Sequence, residues 1–167
     1  QNAMICTAPS KTFNLAGMHL SNMVIANPDM KQAFEAYLAE TGVAGGLNPL
    51  AVTACEAAYR DGEDWLGEAL AYIYENEQTL RRFLATNLPQ ICPTELQGTY
   101  LAWVDFRALG LDQAAQEKLT QLDAKVLLDE GHIFGPEGAG FERFNLACPR
   151  PLVNLALERL AREIGKL

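Results

Sequence analysis

Apolar residues recur at helical spacing through the first half of the chain. Two Asn-Pro pairs, Asn27-Pro28 and Asn48-Pro49, each precede such a run. This pair is typical of a helix start, because the Asn side chain caps free backbone N–H groups and Pro has no N–H to satisfy. A third apolar run follows the turn Asp61-Gly62 and ends before Pro89. The predicted helices span residues 28–42, 50–59 and 63–86.

The pattern changes to strand-like spacing in the second half. Residues 100–106 form a β-prone run, and residues 142–147 alternate, with Arg143 and Asn145 on one face and Phe144 and Leu146 on the other. We predict that residues 5–11 are the end of a strand running into a loop, and that further strands lie at 24–26 and at 126–128. A short helix is predicted over 113–122, a glycine-rich loop over 131–140 and a closing helix over 152–164. The fold class is therefore predicted to be α+β, with a small, mostly antiparallel sheet covered by helices.

Length and composition restrict the function classes. The 167 residues are enough for one domain, or one modest domain with an appendage. The formal net charge of −8, without a basic run, is unfavourable for binding a nucleic-acid backbone. No apolar run approaches the roughly 20 residues that cross a bilayer. Four scattered cysteines predict reduced, mostly buried thiols in a cytoplasmic protein without a metal site.

Lys11 is the first residue that suggests chemistry. It follows an apolar strand and is flanked by small and hydroxyl residues in the run APSKTFN, residues 8–14. A lysine amine attacks a carbonyl when it is deprotonated, which requires a desolvated or cation-rich pocket. The local sequence leaves two interpretations open, a Schiff-base lysine and a solvated surface lysine.

Arg143 is the second candidate, because an arginine inside an apolar strand is costly to bury without a partner. Its planar guanidinium can donate two parallel hydrogen bonds to a carboxylate. Arg143 therefore either binds the carboxylate of a substrate or forms an ion pair with a neighbouring acidic residue. Asp105 and Arg107 are predicted to pair with each other. His19 and His132 are interpreted as ordinary loop or core histidines.

Five segments, taken in this order, resemble the C-terminal part of fold-type I pyridoxal-phosphate enzymes of the class I/II aminotransferase family. The nearest branch is the cystathionine β-lyase (C–S lyase) group. The resemblance covers nearly the whole chain from Ile5 onward, and it is more specific than any one segment. The matching segments are APSKTFNLAG (8–17), SNMVIAN (21–27), ACEAAYRDGEDWL (54–66), GTYLAWVDFR (98–107) and FGPEGAGFERFNLACPR (134–150).

The resemblance implies roles for individual residues. Lys11 matches the lysine that forms the Schiff base with pyridoxal 5'-phosphate and then moves the substrate α-proton. Arg143 matches the arginine that holds the α-carboxylate of the amino-acid substrate. Ser10 and Thr7 lie where family members offer hydroxyls to the cofactor phosphate. His19 stands where other branches carry a phosphate-binding arginine, which favours the lyase branch.

The resemblance also implies an expected domain organisation. In this family the catalytic lysine lies past the middle of the chain, and the upstream half supplies most of the cofactor site. We therefore expect a C-terminal fragment with little activity of its own: residues 1–3 an expression scar, 4–47 a remnant of the large domain, and 48–167 the small domain. The N-terminal strands would then lack their sheet partners, so homo-oligomers, dimers or larger, are expected.

The intact enzyme is thus expected to be a lyase or an aminotransferase acting on amino acids such as cystathionine. The alternatives are a non-enzymatic interaction or regulatory module, and a chain complemented by a separate polypeptide. The sequence leaves lyase and aminotransferase unresolved, since both reactions begin with removal of the α-proton.

Overall fold

The computed structural model describes residues 3–42 and 46–167, so Gln1 and Asn2 of the expected scar lie outside the described residues. The chain divides after Ala69 into two compact units, Gln1–Ala69 and Leu70–Leu167. The expected boundary after Leu47 concerns the domains of a longer protein and stays a prediction.

The described residues of the first unit include two short strands and two complete α-helices. Strand β1 (Met4–Thr7) pairs antiparallel with β2 (Asn22–Ile25), followed by α1 (Pro28–Thr41) and α2 (Pro49–Asp61). The expectation that the N-terminal strands lack partners is wrong in this respect, because they pair with each other. The 14 residues between them, 8–21, allow the chain to turn back antiparallel without any outside strand.

The Asn-Pro pairs begin both helices as predicted. The Asn27 Oδ1 accepts hydrogen bonds from the backbone N–H groups of Asp29 (2.9 Å) and Met30 (3.2 Å). The Asn48 Oδ1 accepts one from the N–H of Leu50 at 3.0 Å. Each asparagine therefore satisfies backbone donors that have no partner inside the helix.

The second unit is built on a four-stranded antiparallel sheet in the order β3-β4-β6-β5. Helix α3, which begins in the first unit, and α5 cover one face of this sheet with a common apolar core. The fold class is α+β, as predicted. The elements are α3 (Glu63–Asn87), β3 (Cys92–Pro93), β4 (Leu101–Asp105), α4 (Gln113–Glu117), β5 (Asp129–Glu130), β6 (Phe141–Asn145) and α5 (Arg150–Ile164).

The central strands alternate between buried and accessible side chains. Ala102 and Val104 of β4 and Phe144 of β6 are buried under the helices, whereas Trp103 and Arg143 lie on the opposite face. This alternation follows from the two-residue period of a strand. The buried apolar partners from the helices are Leu80, Leu84, Val153, Leu157, Leu160 and Ile164.

A buried asparagine joins α3 to the segment between β6 and α5. The Asn76 Nδ2 donates to the carbonyls of Leu146 and Cys148, both at 2.9 Å, and its Oδ1 accepts from Arg150 Nε at 3.0 Å. The side chain is fully buried, so these bonds replace the water that it loses.

Two further predictions are wrong. Residues 126–128 are not a strand, because the Lys125 backbone is left-handed (φ 55°) and the Val126 N–H bonds back to the Thr120 carbonyl, and pairing with β6 begins only at Asp129. The cysteines are not mostly buried. Cys55 is buried and Cys148 half-buried, but Cys6 and Cys92 lie on short edge strands and are exposed.

Candidate functional site

Lys11 lies in a single helical turn directly after β1. The Phe13 N–H donates to the Pro9 carbonyl at 2.9 Å and closes the turn. Within it Lys11 is exposed and Ser10 half-buried, while Thr7 is exposed at the end of β1. The first unit thus brings one amine and two hydroxyls into a five-residue stretch.

Aromatic packing anchors this turn. The Phe13 ring meets Tyr59 edge-on, with centroids 5.5 Å apart, and lies 6.3 Å from the ring of Trp65. Pro9 is fully buried. These contacts fix both ends of the turn, so the exposed lysine stands on a defined backbone.

The second unit carries Arg143 on the outer face of its sheet, opposite the helices. Trp103 stacks on Phe141 with centroids 5.5 Å apart and meets Phe134 edge-on at 5.6 Å. The guanidinium of Arg107 lies 4.6 Å from the Phe141 ring, and that of Arg143 lies 4.4 Å from the Phe134 ring. We call these five side chains the aromatic face. The negative face of an aromatic ring attracts a cation. Phe141 therefore holds Arg107 at one end of the aromatic face, and Phe134 holds Arg143 at the other.

An ion pair closes one end of the aromatic face. Arg107 donates from Nε to Asp105 Oδ1 at 2.9 Å and from Nη2 to Oδ2 at 2.7 Å, as the sequence predicts. These hydrogen bonds hold the pKa of Asp105 below its usual value.

A second ion pair closes the other end. Arg143 and Asp129 stand directly opposite each other on β6 and β5. The Asp129 Oδ2 accepts from Nε at 3.1 Å and from Nη2 at 2.5 Å. The predicted pairing of Arg143 with a neighbouring acid is therefore present, and the other edge of the guanidinium is left for further contacts.

Glu142, next to Arg143, points to the opposite, helix-covered side of the sheet and is fully buried. Its Oε1 accepts from Gln116 Nε2 at 2.8 Å, and its Oε2 has no hydrogen-bond partner among residues 3–42 and 46–167. Burial raises the pKa of this carboxyl to about 7, helped by the negative charges of Glu130, Glu117 and Asp129. A cavity of about 10 Å³ lies beside it, roughly the space of one water molecule.

The described residues contain no group of three or more His, Cys, Asp and Glu side chains arranged to hold a metal ion. His132 has its Nε2 3.0 Å from Gln113 Nε2 and 3.8 Å from Glu117 Oε1, which agrees with an ordinary loop histidine. Within the part of the chain that the structure describes, no helix is both long and apolar enough for a membrane span.

Sequence reasoning missed Asp129, Phe134 and Glu142. The strand was predicted too early, so Asp129 fell outside it, and Phe134 lay in a stretch interpreted as loop. A signal for Glu142 was available, because the alternation that turns Arg143 outward turns its neighbour inward.

The fold is that of pyridoxal-phosphate-dependent aminotransferases. The crystal structure of cystalysin from Treponema denticola, which contains a pyridoxal 5'-phosphate cofactor, matches 98% of this chain with a TM-score of 0.91 and 40% identity. A C–S lyase from Staphylococcus hominis, also with pyridoxal phosphate bound, matches 98% with a TM-score of 0.84 and 29% identity.

The sequence comparisons agree. The model of the family "Aminotransferase class I and II" matches residues 1–160, and the chain belongs to that family. Cystathionine beta-lyase PatB of Bacillus subtilis is 40% identical over 158 residues, 95% of this chain. Protein MalY of Escherichia coli is 32% identical over 146 residues, 87% of this chain. The family and the lyase branch predicted from the five segments are confirmed.

The chain spans only part of these relatives. The match covers 41% of the length of PatB, 37% of MalY and 41% of the cystalysin chain.

Proposed function

We propose that this chain is part of a pyridoxal-phosphate-dependent enzyme that acts on amino acids, with cystathionine as a representative substrate. The observation that carries the proposal is the match to the cofactor-containing cystalysin structure along 98% of the chain at 40% identity. In the same proposal, residues 4–47 belong to the large, cofactor-binding domain and residues 48–167 to the small domain.

The residues of the first unit fit this cofactor by their chemistry. An exposed amine, Lys11, suits the cofactor aldehyde, and the hydroxyls of Ser10 and Thr7 suit its phosphate. The turn that carries them is anchored by Phe13, so these groups are presented by a fixed backbone. When bound, pyridoxal phosphate supplies an electron sink for the carbanion left by loss of the α-proton.

Two residues of this chain act on the substrate in this proposal. The guanidinium of Arg143 binds and orients the α-carboxylate through paired N–H groups. The Nζ of Lys11, when neutral, takes up the α-proton, which in β-elimination then protonates the departing sulfur.

The cofactor role of Lys11 is tested by labelling. The enzyme that contains this chain is mixed with pyridoxal phosphate, scanned for visible absorbance, treated with borohydride and mapped by peptide mass spectrometry. We expect fixation on Lys11 to exceed that on each other lysine several-fold, with loss of the visible band in Lys11→Ala.

Lys31→Ala is the matched control, because Lys31 is an exposed lysine on α1 of the same unit. It should leave both the band and the Lys11 label unchanged. Equal labelling of Lys11, Lys31, Lys118, Lys125 and Lys166 would count against the cofactor role.

Between the two activities, lyase and aminotransferase, we propose that the enzyme is a cystathionine β-lyase. The similarity to PatB and MalY, at 40% and 32% identity, favours this assignment. Hydrolytic β-elimination converts cystathionine and water to homocysteine, pyruvate and ammonia, whereas transamination retains the carbon–sulfur bond. The assay is therefore thiol and pyruvate release by the enzyme that contains this chain.

We also propose that the chain forms homo-oligomers, dimers or larger. The motivating observation is exposed apolar surface on the β1–β2 pair, where Ile5 is 57% and Val24 is 53% exposed. Sedimentation at high concentration should give a species of at least twice the chain mass, and Val24→Asp should shift it toward monomer. A monomeric profile of the unmodified chain would contradict this proposal.

An interaction or regulatory module is the alternative function, and the same exposed surface is the observation that favours it. A cytoplasmic location belongs to the proposal as well, in keeping with metabolic relatives such as PatB.

A further inference from the structure

The contact between Asp129 and Arg143 uses one edge of the guanidinium. A single carboxylate oxygen, Asp129 Oδ2, accepts from both Nε and Nη2. A guanidinium has five N–H donors, so three remain: both protons of Nη1 and the second proton of Nη2. Among the residues that the structure describes, no other hydrogen-bond acceptor contacts Arg143.

Two of these three donors, one on Nη1 and one on Nη2, lie along the edge between the two nitrogens. Two parallel N–H groups on this edge match the two oxygens of a carboxylate. The Arg143 side chain as a whole is 28% exposed.

The orientation of that edge is fixed in two directions. Asp129 holds the guanidinium within its own plane, because its oxygen sits between Nε and Nη2. The Phe134 ring, 4.4 Å away, covers one flat face, and Phe134 is itself held edge-on by Trp103. An arginine held in this way loses little rotational freedom when a ligand binds.

We propose that Asp129 is a positioning residue, which presents the Nη1/Nη2 edge of Arg143 to the carboxylate of an amino acid while its own charge weakens that binding. The proposal rests on the proposed role of Arg143 in binding substrate. The two contributions have opposite signs: the hydrogen bonds preorganise the arginine, and the like charge of Asp129 repels a second carboxylate.

Two substitutions separate these contributions. Asp129→Asn keeps an acceptor oxygen beside Nε and removes the charge, so carboxylate affinity should rise about 3-fold to 10-fold. Asp129→Ala removes the acceptor as well and frees the guanidinium. Affinity should then fall below that of Asp129→Asn, and the Nε–H should lose its protection from solvent exchange.

The experiment uses the whole chain labelled with ¹⁵N-arginine and acetate as the probe, titrated at constant ionic strength. The Nε–H signal of Arg143 is assigned by its loss in Arg143→Lys, and thermal unfolding verifies that each variant is folded. Asp105→Asn is the matched control, because Asp105 makes the equivalent pair with Arg107. It should leave the acetate affinity at Arg143 unchanged.

An acetate affinity that rises in Asp129→Asn and is lower in Asp129→Ala than in Asp129→Asn would support the proposal, since a purely electrostatic role gives the two variants the same affinity. An affinity in Asp129→Ala that equals or exceeds that of Asp129→Asn, or an Arg143 Nε–H that exchanges as fast as that of exposed Arg82, would overturn it. Protection without acetate binding in any variant would also overturn it. The Lys11 labelling is a separate readout, so either result can fail while the other stands.

Discussion

Replacing Gly131 by alanine is expected to destabilise the second unit by about 3 kcal/mol or more, as measured by chemical denaturation. An added Cβ would stand 2.0 Å from the Gly138 carbonyl oxygen and 2.9 Å from both the Cβ and the carbonyl oxygen of Phe141. These are mostly backbone atoms, which cannot rotate away as a flexible side chain can. The short turns Gly131–Phe134 and Pro136–Gly138 would therefore have to separate.

Gly98→Ala is the control for this prediction. Gly98 lies in the same unit, but an added Cβ there meets nothing within 4 Å. We expect its unfolding free energy to stay within about 0.5 kcal/mol of the unmodified chain. Equal free energies of unfolding for Gly131→Ala and Gly98→Ala would contradict the prediction. They would show that the turns Gly131–Phe134 and Pro136–Gly138 separate with little loss of stability.

The Gly131 substitution also bears on the candidate site. Asp129 precedes the glycine and Phe134 follows it, and both contact Arg143. Separation of the two turns should therefore expose the Arg143 Nε–H to solvent exchange even where the unit remains folded.

Local sequence signals predicted the helices and central strands well. The caps at Asn27 and Asn48 involve residues two or three positions apart, so their geometry is contained in the sequence pattern. The alternation over residues 142–147 likewise predicted that Phe144 and Leu146 share a face, and both are buried. Such features depend on neighbours along the chain and need no knowledge of the tertiary fold.

The arrangement around Arg143 depends instead on pairing between distant segments. Asp129 faces Arg143 because β5 joins β6 in a particular register, and Phe134 reaches the guanidinium through a loop closed by Gly131 and Gly138. The apolar run at 126–128 looked more strand-like than Asp129 and Glu130. Strand propensity favoured residues 126–128 over Asp129 and Glu130. The polar strand of two residues forms because it pairs with β6, which propensity does not include.

For the Lys11 turn, local chemistry alone left both a surface lysine and a Schiff-base lysine open. The structure adds the anchoring of the turn by Phe13, and the family match adds the class of enzyme. Neither Phe13 nor its contacts with Tyr59 and Trp65 were predicted, because they join residues about 50 positions apart.

Glu142→Gln is expected to stabilise the second unit by about 3 kcal/mol above pH 8 and to have little effect near pH 4. Burial raises the pKa of the Glu142 carboxyl from 4.5 to about 7. Between these pH values the folded state holds a proton that the unfolded state releases. The unfolding free energy of the unmodified chain should therefore fall as the pH rises from about 4.5 to about 7, then level off with respect to this group.

The surroundings of Glu142 explain why the amide should relieve this cost. The groups that raise its pKa, Glu117, Glu130 and Asp129, are negative, and the neutral Gln116 supplies its hydrogen bond. His132, which also lines the adjacent cavity, lies beside Glu117. A glutamine keeps an oxygen for Gln116 and places a donor where the unpartnered Oε2 now stands.

The measurement is chemical denaturation of both proteins at several pH values, with the difference in unfolding free energy plotted against pH. Other titrating groups are common to the two proteins, so the difference isolates Glu142. Glu158→Gln, an exposed substitution on α5, is the control and should give a flat difference. A Glu142→Gln difference that is equally flat would mean that the carboxyl titrates near its ordinary pKa, as it would if water entering the adjacent cavity solvates the Oε2.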